Sequence, residues 1–157
     1  MGVYEGGGGI EIDGNTSLTS TDWHHIVYTK TDVFLGTLYV DGVVEGTHTA
    51  NYTLKSTDIW TLGQEWDPSG PSQFFHGYLD DAAVWSTELS AAEVSALYSG
   101  GNGLDARSDS GNYTSSGYLE GYWKMIEGTG STLTDSSGNG NSGIIVGASW
   151  RTDVPFN

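Results

Sequence analysis

At 157 residues the chain is long enough for one domain with a sizeable core, and its 24 glycines and 12% aromatic content favour short aromatic strands and tight turns over helices. Twenty acidic residues against five basic ones give a net charge of −15, which repels phosphate backbones and anionic lipids and argues against nucleic-acid and membrane partners. The absence of cysteine excludes a disulfide framework, a thiolate metal site and a cysteine nucleophile.

The chain opens on MGVYEGGGG, which starts inside a strand-and-glycine pattern and reads as cut from something longer. GGGG has no lysine, strand or helix to make it a phosphate loop. Residues 10–13 alternate apolar and acidic side chains, and Gly14-Asn15 marks a turn. WHHIVYTK alternates from Trp23 onward, with His24 and His25 on opposite faces, so that one imidazole is expected to pack and the other to be exposed, and the two cannot readily grip one zinc ion. TLYVDGVVEG predicts a hairpin turning at Asp41-Gly42, the dipeptide that suits two successive positive φ angles. IWTLG and FFHGYLDDAAVW predict further strands, the second ending at Trp85. Short strands with turn signals about every ten residues predict an antiparallel β-sandwich.

One helix is expected near residues 90–98. In LSAAEVSALYSGG, Ser90 and Glu93 have capping-box spacing, Leu89 and Val94 can form a hydrophobic staple, and Gly100-Gly101 ends the helix. The stretch from 99 to 117, SGGNGLDARSDSGNYTSSG, holds almost no apolar residues and reads as a linker. Beyond it, residues 119–152 show two strand patterns around the Gly/Asn/Ser-rich turn TDSSGNGN, with Trp123 and Trp150 as expected core anchors.

Taken in that order, WHHIVYT, LYVDGVVEG, HGYLDDAAVW and LSAAEVSALYSGG resemble the laminin-G-like/pentraxin group of concanavalin A-like lectin and glucanase domains. The resemblance implies an all-β antiparallel sandwich of jelly-roll type. It also implies an unusual order: residues 1–101 look like the central and C-terminal strands of such a unit, 102–118 like a linker, and 119–152 like opening strands placed after it. Tandem units of this kind are similar to modules of bacterial surface proteins and phage structural proteins, so an extracellular or virion-associated setting is expected. The apolar residues of 119–152 must join a sheet, either by folding back on the same chain, the favoured outcome, or by exchange into a homodimer.

The resemblance also gives meaning to the loop GQEWDPSGPSQ, which is similar to the pentraxin calcium loop. Glu65 and Asp67 would supply carboxylates, Trp66 a carbonyl oxygen and Gln73 an amide oxygen, a donor set that suits calcium. The Asp-Asn pair that completes such sites has no counterpart in the chain. A second calcium candidate joins Asp135 to Asp80 or Asp81; against it, Asp135 and Asn139 can simply cap their own turns. IEIDG is similar to the E-x-D core of one glycoside hydrolase family, but Gly14-Asn15 stand where that family has another glutamate, so Glu11 and Asp13 read as solvated strand residues. The expected function is therefore non-catalytic: a calcium-assisted lectin-like module with Trp66, Gln73 and Tyr78 on a glycan and Trp60, Phe74 and Phe75 nearby, although strand alternation sends some of these rings to the core and only Trp66, in the loop, is expected to be exposed. The alternative is an assembly module without a small ligand.

Overall fold

The computed structural model describes residues 2–3, 12–19, 21–49 and 59–152, with only the backbone for Gly2, Val3, Asp13 and Asp67. Every strand pairing among them is antiparallel. The central sheet has the order β3 (Ile26–Lys30), β4 (Leu35–Val40), β5 (Val43–Thr49). The β4–β5 turn is the expected one, with φ of 51° at Asp41 and 78° at Gly42, the double positive φ that matches a type I′ turn to the twist of the strands. A short pair, β1 (Gly2–Val3) and β2 (Ile12–Asp13), precedes this sheet.

The two faces of the central sheet are buried by different partners. Tyr39 and its register partner Val27 face the main core. There they meet Leu89 together with Val94 and Leu97 of α1 (Ala91–Tyr98), and Leu119 and Tyr122 of β9 (Leu119–Trp123). On the other face Leu38 is fully buried, and Ile12 lies where any side chain at Gly46 would have to go. The Glu45 carboxylate fixes this cover by accepting hydrogen bonds from the Asn15 and Thr16 amides. Full burial of a side chain such as Leu38 or Val94 contributes about 1.5–3 kcal/mol each.

Helix α1 starts as its sequence dictates. The Ser90 hydroxyl accepts from the Glu93 amide, and the Glu93 carboxylate accepts from the Ser90 amide at 2.9 Å, which closes the capping box. Leu89 and Val94 are both buried in the core. The helix ends at Ser99, which is in the left-handed conformation.

Residues 102–118, expected as a linker, run mostly exposed but are anchored to the core by Ala106 and Tyr113. Tyr113 is completely buried; its hydroxyl donates to the Ala106 carbonyl at 2.7 Å and accepts from the Trp85 indole at 2.8 Å. The second carboxylate oxygen of Glu93 accepts from the Thr114 amide and the Ser115 hydroxyl. One tyrosine and a set of hydrogen bonds do the work that a count of apolar residues would have assigned to a longer hydrophobic run. Strand β9 then pairs with β8 (Ala82–Trp85) of the same chain, in the register Ala82↔Trp123 to Trp85↔Leu119. The segment 119–123 thus lies against the strand that precedes the helix.

The strand expected at IWTLG is irregular, and of the one expected across FFHGYLDDAAVW only Ala82–Trp85 is extended and paired. Positive φ at Gly63 (76°), Gln73 (46°) and Asp81 (47°) turns the chain out of the β region at three points. Between the first two lies a hairpin, β6 (Glu65–Asp67) and β7 (Gly70–Ser72), where a loop was expected. Near the C-terminus, β10 (Thr132–Leu133) pairs with β11 (Gly143–Ile144).

Candidate functional site

The β6–β7 hairpin turns at Pro68-Ser69, with Asp67↔Gly70 as the closing pair. The next pair, Trp66↔Pro71, falls at a position where an antiparallel ladder makes no hydrogen bond, so the missing proline amide costs nothing. The Trp66 carbonyl consequently points away from β7. The Trp66 ring is 50% exposed, as expected, and Glu65 is half-buried. Gln73 is exposed just beyond the hairpin. The side chain of Asp67 and the whole of Glu11 lie outside the described residues.

An aromatic surface surrounds this hairpin in sequence. Trp60, Trp66, Phe74, Phe75 and Tyr78 are all more than half exposed or close to it, as are Ile59 and Leu62. Phe75 is tied back by its amide, which donates to the Gly63 carbonyl at 2.8 Å, and Thr61 donates to the Gln64 carbonyl at 3.1 Å. Trp23 meets the Tyr78 ring at a centroid distance of 6.4 Å, and the Arg151 guanidinium lies 5.3 Å over the same ring. These two partners of Tyr78 were not legible in the sequence, because each comes from a distant part of the chain.

Asp135 has a different occupation from the one its acidic character suggests. Its Oδ1 accepts from the Tyr122 amide at 3.0 Å and the Ser137 amide at 2.9 Å, and its Oδ2 accepts from the Asn141 amide at 2.9 Å. Burial pushes its pKa up, but these donors outweigh burial and hold it at about 2. The rest of the turn behaves likewise: Asn139 and Asn141 donate from their side chains to the carbonyls of Leu119 and Glu120, and Ser137 donates to Glu120. Side chains of residues 135–141 therefore satisfy the outer edge of β9 where another strand would otherwise pair. With amide hydrogens directed at both oxygens, Asp135 serves as the cap of its own turn.

Asp81 lies at the opposite end of Tyr122, whose hydroxyl donates to Asp81 Oδ2 at 2.5 Å. Burial raises the Asp81 pKa, and burial together with the adjoining Asp81 raises that of Tyr122. The two carboxylates hold the backbone end and the hydroxyl end of one tyrosine and do not converge; Asp80 is half-buried beside Asp81. Among the described residues no group of three or more His, Asp or Glu side chains is placed to hold a metal ion. Glu65 and Trp66 lie on the hairpin and Gln73 just beyond it. His24 and His25, expected as one packed and one exposed imidazole, are both half-buried with different partners: His24 Nδ1 is 2.8 Å from Asp41 Oδ2, while His25 stacks on Tyr98 at 6.1 Å and burial lowers its pKa.

An antiparallel all-β core carrying one short helix and an open aromatic surface defines a lectin-type domain architecture. The family model of the concanavalin A-like lectin/glucanases superfamily, laminin G type, matches residues 1–95, more than half of the chain, and the chain belongs to that family. No curated protein matches it. Of solved structures, one similar to it is a protein of Bacteroides ovatus ATCC 8483 provisionally described as carbohydrate binding, with 19% identity, a TM-score of 0.63, and coverage of 96% of this chain and 42% of the other. Another is residues 221–444 of an S-layer domain-containing protein of Clostridium thermocellum ATCC 27405, with 24% identity, a TM-score of 0.46, and coverage of 58% and 46%. The chain thus spans less than half the length of either.

Proposed function

We propose that the chain is a non-catalytic carbohydrate-binding module of a larger cell-surface or virion protein, and that the aromatic surface of residues 59–79 holds the glycan. The observation that carries this reading is the exposure of Trp60, Trp66, Phe74, Phe75 and Tyr78 in and around a short hairpin. Flat rings stack on the C–H faces of sugars, while Gln73 and the Tyr78 hydroxyl supply hydrogen bonds that orient them. The carbohydrate-binding description of the Bacteroides ovatus protein supports the same reading.

In this reading calcium assists at the hairpin, where Glu65, Asp67, the Trp66 carbonyl and Gln73 are its proposed oxygen ligands and Asp135 is not. When bound, the ion would order the hairpin and offer open positions to sugar hydroxyls. A glycan array read in millimolar calcium and again in chelator tests the proposal. Binding that chelator weakens supports both parts; binding that chelator leaves untouched supports the glycan and removes the ion. A blank array in both conditions contradicts the reading and favours a module that assembles with other proteins through the same surface.

A further inference from the structure

We infer that the ligand of the aromatic surface is an uncharged glycan, built of sugars without carboxylate, sulfate or phosphate groups. The inference rests on the carbohydrate-binding reading and narrows it to a substrate class. An anionic sugar gives up strongly held water on binding and needs a cation in return, whereas a neutral sugar needs stacking faces and hydrogen-bonding groups.

The chain has few cations to offer. Five residues are Lys or Arg; Lys55 lies outside the described residues, and each of the other four is engaged. Arg107 grips Asp105 through Nε at 2.9 Å and Nη2 at 2.6 Å, and Lys124 Nζ lies 3.6 Å from the same carboxylate. Lys30 Nζ sits 4.7 Å over the Phe34 ring at the far hairpin. Arg151 alone among these four reaches the aromatic surface, and there it lies over the Tyr78 ring. A carboxylate or sulfate that recruited Arg151 would have to draw it off that ring, a contact that itself stabilises the charge.

The surroundings are of the opposite sign. Asp22 precedes Trp23, Glu65 precedes Trp66 and Asp80 follows Leu79, within a chain of net charge −15. In water a like charge about 7 Å away weakens binding about threefold, so each carboxylate that comes within such a range of a bound anionic ligand disfavours it by about that factor at low salt. The penalty fades as the screening length falls from about 30 Å at 0.01 M to about 3 Å at 1 M.

The test is a glycan array holding neutral, uronic-acid, sialylated and sulfated members, read with the full chain in calcium and in chelator, followed by affinities at low and high salt. The inference expects neutral members to bind with affinities that salt does not change, and anionic analogues of the same backbone to bind more weakly, by about threefold or more, at low salt and to recover as salt rises. Preferred binding of anionic members, with affinity falling as salt rises, would overturn the inference while leaving the carbohydrate reading intact. Anionic binding that appears in calcium and vanishes in chelator would overturn it in the same way, by showing that a bound cation supplies the missing charge. An array blank in every condition would overturn the carbohydrate reading beneath it.

Discussion

Replacing Glu93 by glutamine removes one charge and leaves the volume of the side chain unchanged. The carboxylate is buried and accepts from the Ser90 amide and hydroxyl on one oxygen, and from the Thr114 amide, the Thr114 hydroxyl and the Ser115 hydroxyl on the other. It joins the start of α1 to the loop that carries Tyr113. Burial pushes its pKa up, yet the hydrogen bonds from Ser115 and Ser90 outweigh burial and bring it to about 2 from the usual 4.5. A glutamine presents an amide nitrogen to donors that need an acceptor, so Glu93→Gln should cost about 2–3 kcal/mol. For a domain of this size that lowers the melting temperature by about 5–10 °C.

The pH dependence gives a sharper test. A carboxylate whose folded pKa is depressed contributes stability that is fully present above its unfolded pKa and is lost as pH falls through the folded value. The difference in unfolding free energy between wild type and Glu93→Gln should therefore be constant above about pH 5 and shrink between about pH 4.5 and 2. Urea unfolding of both proteins across that range measures it. A difference below about 0.5 kcal/mol at pH 7, or one that stays constant down to pH 2, would refute the reasoning.

Three further outcomes follow from the same structure. Asp135→Ala leaves the amides of Tyr122, Ser137 and Asn141 without their acceptor and should destabilise by about 2–4 kcal/mol, measured by denaturant unfolding; a loss under about 0.5 kcal/mol would show that the turn does not depend on it. Gly36→Ala should cost about 1–3 kcal/mol, because a Cβ there would sit 2.3 Å from the Tyr28 hydroxyl and 2.4 Å from His48 Nε2, which are themselves hydrogen-bonded at 2.7 Å; an unchanged melting curve would show that this pair is not rigid. Calcium at a hundredfold excess over its Kd should add about 2.7 kcal/mol of stability, and Gln73→Ala should reduce that gain while Asp135→Ala should not reduce it; identical melting curves in calcium and chelator would remove the ion from the hairpin.

What could be read from the sequence was what short-range chemistry decides. Asp41-Gly42 encodes its turn because few other dipeptides tolerate two positive φ angles, and Ser90 with Glu93 encodes a helix start because each satisfies an amide of the other. Both lie within four residues of the groups they bind. The anchoring of 102–118 was not legible because it depends on Tyr113, one aromatic among polar neighbours, which finds Ala106 and Trp85 only once the chain has folded. The irregular course of 73–81 was hidden for a related reason: Gln73 and Asp81 adopt positive φ, and nothing in FFHGYLDD announces it. Trp66 could be placed on the surface from the prolines and glycines around it, but the meeting of Tyr78 with Trp23 and Arg151 is a property of the tertiary structure.

The central claim is that the aromatic surface is a glycan site, and titration calorimetry of the strongest array ligand against wild type and Trp66→Ala tests it most directly. The ring is half exposed, so its loss should leave the melting temperature within about 2 °C of wild type while weakening binding by at least about tenfold, or 1.4 kcal/mol. Unchanged affinity in a stably folded Trp66→Ala protein would contradict the claim.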